Sequence, residues 1–399
     1  MPKLPEFFKN GHAKNSLRAG SGLDLGRFAG RLKATTGRLG RLGRFNGEGG
    51  VAPEVSRFLI DYISLPDESI LVVTSWVLAA WLKGSWDRFP HLAITSPDRR
   101  CGKTRLLDLL RLICPEAYYT SNISPAALYR LIESKQPTLL LDEAQSLRRR
   151  GSESSEVLRE ILNAGIDRNS TTMRIGGKDN SEIKSFRIYS PKAIAMIGEP
   201  DGVLADRCLP IEMKRKTSLD DILPYRSRIV EPVGRKLHDR LSTWAKGVER
   251  RARAVYDSME VLPILNDRMA ELLLPLQTVL QVACPSFLPM LEGYAIKLDE
   301  RDMNTSSPGV RLLSACREIL ELGKVEFLLT QKLLGQLYDR DWEPWSKWSQ
   351  GEPMTSHALG GLLRPFGVHS SRDEKRAQRG FARRDFEEAW KRYLPPLPR

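Results

Sequence analysis

The stretch Ile94-Thr95-Ser96-Pro97-Asp98-Arg99-Arg100-Cys101-Gly102-Lys103-Thr104-Arg105-Leu106-Leu107 decides how the rest of the chain is read. A short apolar run (His91 to Thr95) breaks at a proline, and a Gly-Lys-Thr triplet then opens a helix. The pattern is GxxxxGK[ST] with Pro97 in place of the first glycine. Gly102 lets the backbone come close to phosphate groups, and the amides that follow, through Arg105, point at them from a helix N-terminus. Lys103 has the reach for β- and γ-phosphates, and the Thr104 hydroxyl suits Mg²⁺. ATP and Mg²⁺ are therefore the expected cofactors. Cys101 reads as a small residue that a tight turn tolerates.

The second half of such a site lies downstream, in Thr138-Leu139-Leu140-Leu141-Asp142-Glu143-Ala144. An apolar strand here ends in two carboxylates. At the carboxyl end of a parallel strand, Asp142 meets the Mg²⁺ sphere and Glu143 orients and deprotonates an attacking water. A third element is Leu204-Ala205-Asp206-Arg207-Cys208-Leu209-Pro210-Ile211. Arg207 is expected either as a finger reaching a neighbouring subunit's γ-phosphate, which requires a homo-oligomeric ring, or as a surface partner of Asp206. Arg268 is a weaker candidate for a lid arginine.

Working outward, strands alternate with helices between about residues 50 and 217. The fold class expected is α/β, a P-loop NTPase core with a parallel sheet and N-terminal helices over 51–217. Thr171 to Tyr189 alternates around Gly176-Gly177-Lys178-Asp179-Asn180 and predicts a β-hairpin. Residues 218–322 are expected to form a helical lid, and 323–399 a small winged-helix-like unit. Residues 1–50 carry ten Lys or Arg against three Asp or Glu, with the run Gly37-Arg38-Leu39, Gly40-Arg41-Leu42, Gly43-Arg44-Phe45. Glycine every third residue defeats a helix, so a flexible basic tail is expected, able to contact nucleic acid.

Composition narrows the function classes. The formal charge of +13 over 399 residues favours polyanionic partners, DNA first. The five cysteines include no CxxC pair, which argues against a zinc site or a disulfide framework and fits a reducing cytoplasm. The opening residues show no signal-peptide pattern. The apolar stretch Ile70 to Leu82 falls short of the roughly 20 residues a membrane span needs, so it predicts a buried helix and no membrane association.

With these motifs in hand, the chain resembles a family of phage, plasmid and genomic-island ATPases catalogued mainly as a domain of unknown function. The resemblance rests on the 94–104 run, Ile123-Ser124-Pro125-Ala126-Ala127-Leu128, Leu139 to Ala144, Pro191-Lys192-Ala193-Ile194-Ala195, Leu204 to Arg207 and Gly380-Phe381-Ala382-Arg383-Arg384-Asp385-Phe386. It implies association with a separate primase-polymerase. More distantly, the order of parts is similar to superfamily 3 helicases of the AAA+ type. This likeness implies a DNA-gripping hairpin, which would put Lys178 on single-stranded DNA. The segment Ala195-Met196-Ile197-Gly198 departs from the helicase pattern, because it lacks a polar sensor asparagine.

Near the C-terminus, Thr330 to Tyr338, Thr355 to Phe366 and Arg383 to Tyr393 predict three short helices. Phe381 is expected on a returning strand, and Pro365-Phe366-Gly367-Val368 at the turn into a wing. Arg364, Arg372, Lys375, Arg376 and Arg379 would then form a DNA-binding surface. Trp342, Trp345 and Trp348 predict a packing face, with base stacking as the alternative. Two functions follow: a DNA-stimulated ATPase acting as helicase or helicase loader in replication of a mobile element, or a nucleotide-switched DNA-binding protein with little turnover.

Overall fold

In the computed structural model, residues 50–394 are described, apart from 122, 145–152, 177–181, 201, 219, 263–266, 306, 341, 350 and 373–377. Short apolar runs form its central layer. Strands β1 (His91–Ser96), β2 (Ala117–Thr120) and β3 (Thr138–Leu141) are followed by a separate antiparallel hairpin of β4 (Thr171–Gly176) and β5 (Glu182–Arg187), and then by β6 (Lys192–Ile197) and β7 (Cys208–Glu212). All but the hairpin join one five-stranded parallel sheet in the order β2-β3-β6-β1-β7. Every residue of β1 and β3 is buried, as expected of parallel strands covered on both faces. Pro210 is accommodated because β7 is an edge strand, where a missing N–H need not break a ladder.

Helices α1 (Val51–Tyr62), α2 (Asp67–Trp81), α3 (Lys103–Ile113), α4 (Pro125–Lys135), α5 (Glu153–Ala164) and the single turn α6 (Gly202–Ala205) accompany the sheet. Side-chain alternation divides the two faces. Leu92, Ile94, Ala195 and Ile211 share a core with Leu106 and Leu110 of α3. Ala93, Ile194, Met196 and Cys208 pack instead on Leu162 of α5 and Leu204 of α6.

Helix α2 is buried from Ile70 to Ala80. It lies among α1, α7 (Ser227–Ser258), α8 (Asp267–Ala283) and α9 (Leu288–Thr305), which explains an apolar surface all round. Among the described residues, no helix is long and apolar enough to cross a membrane.

Residues of α1, α2, α3, α7, α8 and α9 form one continuous core that runs across residue 218. Helix α10 (Pro308–Leu322) gives Leu312, Leu313, Cys316 and Leu320 to a second core shared with the C-terminal elements. Those are β8 (Phe327–Leu329), α11 (Thr330–Tyr338), α12 (Ser356–Leu363), β9 (Ser371–Arg372), β10 (Arg379–Ala382) and α13 (Arg383–Tyr393). The three strands pair antiparallel in the order β8-β10-β9. Trp345 is fully buried there with Trp348 packed at 5.5 Å, whereas Trp342 is 73% exposed and does not share their face.

Candidate active site

The carboxyl ends of β1 and β3 open on the same edge of the sheet, and the residues that follow them meet there. After β1 the chain turns through residues 97–102 into α3. Gly102 makes the turn at φ 91°, a left-handed conformation that a side chain would strain, and a Cβ there would lie 3.3 Å from Met213. Helix α3 then starts at Lys103, with its first amides free of intrahelical partners.

Across from it, β3 delivers Asp142. Its Oδ2 accepts hydrogen bonds from the Thr104 hydroxyl at 3.0 Å and the Tyr119 hydroxyl at 2.7 Å. Its Oδ1 accepts the amide of Glu143 at 2.9 Å. Glu143 is exposed and sits at φ 55°, which costs a non-glycine residue roughly 1–3 kcal/mol. The Lys103 ammonium donates to Ser96 Oγ and to the Asp98 carbonyl at 3.3 Å. Lys103, Thr104, Asp142 and Glu143 thus lie along one sheet edge, with Thr104 and Glu143 both bonded to Asp142.

Three groups at this edge escaped the sequence reading. Tyr119 comes from β2, a four-residue outer strand too short and mixed in exposure to show a period. Burial, and then the bond to Asp142, pushes its hydroxyl well above the ordinary range, so it stays a donor. Asp108 of α3 is the second; burial raises its carboxyl, Arg105 and Arg111 pull it back, and Asp142 pushes it up again. Arg215 is the third. It follows β7 and pairs with the Asp98 carboxylate, bracing the 97–102 loop from outside. No periodic signal marks it.

Other expected residues lie elsewhere. The Arg105 guanidinium sits over the Tyr225 ring at 4.1 Å, so its side chain turns away from Lys103 toward the approach to α7. Arg207 stands where β7 begins, on the opposite sheet edge, and its carbonyl accepts the His91 amide. Its side chain donates to the carbonyls of Asn163, at 2.7 Å, and Val203. Asp206, the alternative surface partner expected for Arg207, pairs instead with Arg268 at 3.6 Å. Arg364 and Arg372 are exposed on the C-terminal unit, and Arg364 with Arg379 lines a groove of about 800 Å³. Lys178, Lys375, Arg376 and the 1–49 tail lie outside the described residues.

The donors at the β1–β3 edge are hard oxygens, a hydroxyl and a carboxylate sharing one hydrogen bond. Such a pair fits Mg²⁺, which takes one or two protein ligands and completes its octahedron with phosphate and water. Among the described residues no group of three His, Cys, Asp or Glu is placed to hold a metal ion.

Comparison with known proteins adds little at this site. The family described as "Protein of unknown function (DUF3631)" matches residues 212–393, which include α7 to α13 and stop short of Lys103 and Asp142. No curated protein matches the chain. A solved structure of Drosophila ORC bound to DNA is 13% identical over 97% of each chain with a TM-score of 0.22, a likeness too weak to carry an argument.

Proposed function

We propose that this chain is an ATP-hydrolysing P-loop ATPase that acts as a DNA helicase or helicase loader in replication of a phage or mobile element. The observation that supports it best is the 3.0 Å contact between Thr104 and Asp142, which lie 38 positions apart. A hydroxyl at a helix start and a carboxylate at a parallel-strand end are brought together beside Lys103.

In this reading Lys103 leaves Ser96 to bind the β- and γ-phosphates, and the amides after Gly102 bind the rest of the chain of phosphates. Thr104 and Asp142 hold Mg²⁺, which when bound neutralises phosphate charge in the transition state. Glu143 accepts the proton of the attacking water. Arg207, on the strand ends opposite Lys103, leaves the Asn163 and Val203 carbonyls to serve a neighbouring protomer's nucleotide in a homo-oligomeric ring. The C-terminal unit acts as a winged-helix-like DNA-binding module through Arg364, Arg372, Lys375 and Arg376. Lys178, between β4 and β5 in the sequence, contacts single-stranded DNA, and primer synthesis belongs to a separate primase-polymerase.

A second reading, a nucleotide-switched DNA-binding protein with little turnover, draws on β6. That strand lies between β1 and β3 yet ends in Ala195-Met196-Ile197, with no polar side chain to sense a γ-phosphate. One assay separates the two: ATP turnover with and without single-stranded DNA for the wild type, Lys103→Ala and Glu143→Gln. The enzyme reading expects DNA-stimulated turnover that falls on the order of 10²-fold or more in both variants. Equal, negligible rates in all three proteins would leave only the switch.

A further inference from the structure

On the sheet edge where the strands begin, a cavity of about 360 Å³ opens at the foot of the β4–β5 hairpin. Three cations line it: Lys83, Arg168 and Arg187. Asn169, Thr171 and Gln136 add polar groups, and no carboxylate is among its lining residues. The cavity falls within the roughly 300–1,000 Å³ of ordinary ligand sites. It is separated from Lys103 and Asp142 by the length of β3 and β6, about 15–20 Å.

The cations arrive there for local reasons and are poorly neutralised. Lys83 follows α2, and its ammonium donates to the carbonyl of Gln136, the left-handed residue that ends α4. Burial pushes that ammonium below its ordinary range, with the charge of Glu116 only partly opposing. Arg187 closes β5 and shares Glu133, 3.5 Å away. The Arg168 amide donates to the Asp87 carbonyl, and its guanidinium has no ion pair with a described residue. Three positive charges thus line one concave space that has no carboxylate in its lining, with Glu133 beside Arg187 and Glu116 near Lys83 at its margin. Lys83 and Arg168 are half-buried and Arg187 is exposed beside Glu133; taking a cation partly out of water is costly, and an anion with several acceptor oxygens relieves that cost best. Guanidinium forks match phosphate geometry, with an ammonium as a compact third donor.

We propose that Lys83, Arg168 and Arg187 form a phosphate-binding pocket at the root of the β4–β5 hairpin, separate from the nucleotide site. Its ligand chemistry is a phosphate group, carried by a nucleic-acid backbone or free in solution. Thr171 opens β4 and Arg187 closes β5, so occupancy ties the hairpin's base to the ligand.

The test uses full-length protein carrying Lys103→Ala, so that the nucleotide loop contributes no phosphate binding. Inorganic phosphate is titrated calorimetrically, and a fluorescent oligothymidylate of about 20 nucleotides is titrated by anisotropy. Each is repeated with Arg168→Gln, Arg187→Gln and Lys83→Gln added, and with Arg235→Gln on α7 as a control of equal charge change. Thermal melts accompany each variant; where Lys83→Gln melts early, the two arginine variants decide.

The pocket predicts saturable phosphate binding that weakens on the order of tenfold in the pocket variants and not in the control. Oligonucleotide affinity falling in the same variants, with phosphate competing, identifies the backbone as the source. Unchanged oligonucleotide affinity identifies a free phosphate compound. No phosphate binding up to about 10 mM, with oligonucleotide affinity equal in pocket variants and control, overturns the proposal.

Discussion

Asp142 is the residue on which the candidate site turns, because its carboxylate takes Thr104, Tyr119 and the next amide at once. The Gly102-Lys103-Thr104 and Asp142-Glu143 groups were legible in the sequence, since each abuts an unmistakable apolar run. Tyr119 was not, because nothing in four residues of outer strand distinguishes it from its neighbour Tyr118. Tyr119→Phe should lower Mg²⁺-dependent nucleotide affinity several-fold, by freeing Asp142 to reorient, while changing stability by about 1 kcal/mol. Titrations with and without Mg²⁺ check this, and an equal change in both would count against it. Lys192 offers a second test. It is fully buried, donates to the carbonyls of Gly165, Ile188 and Ser190, and burial pushes it from 10.5 down to about 7. Between those values the unfolded chain holds the proton and the folded one does not, so stability rises with pH across that window and the deficit is complete below about 7. The unfolding free energy from denaturant titrations should therefore climb from pH of about 7 to about 10 in the wild type more than in Lys192→Met, by an amount on the order of several kcal/mol. Parallel pH profiles would refute that assignment.

Elements differ in how plainly they announced themselves. The bounds of α11 and α13 follow the predicted helices, and Thr355 caps α12 by accepting the Ala358 amide. Helix α7, by contrast, was lost within a long helical stretch, because its 32 residues carry charges on most turns and only a thin apolar stripe. What fixes its position is a close approach that no periodicity shows: a Cβ on Gly234 would lie 2.8 Å from Leu112 Cβ on α3. The helix that begins with Lys103 is thus in direct contact with α7. Gly234→Ala should destabilise by about 1–3 kcal/mol through overpacking. Gly247→Ala, on the same helix with open space around it, should be neutral or stabilising by up to about 1 kcal/mol. Paired thermal melts decide, and equal shifts in the two variants would show that α3 and α7 do not meet at Gly234.

At the scale of the whole molecule, the parallel α/β layer was legible from its buried strands, but the packing of the helices around it was not. Pattern reading groups residues by period along the chain, whereas α1 and α2 reach forward to α7, α8 and α9, and α10 reaches forward to α13. Only long-range packing reveals that. In the proposed ring, Arg207, on the edge opposite Lys103, would complete a neighbour's site rather than its own. Mixing inactive Lys103→Ala with inactive Arg207→Ala protein should restore part of the ATP turnover, through interfaces that pair an intact loop with an intact arginine. No recovery over a range of mixing ratios would count against a ring that shares its sites. The most direct measurement is a crystal structure of the Glu143→Gln protein with ATP and Mg²⁺. The triphosphate should lie along the 97–102 loop, with the Lys103 ammonium on its β- and γ-oxygens and the cation between Thr104 and Asp142. A nucleotide bound elsewhere, or a loop still closed by Lys103 on Ser96 beside a vacant Asp142, would contradict it.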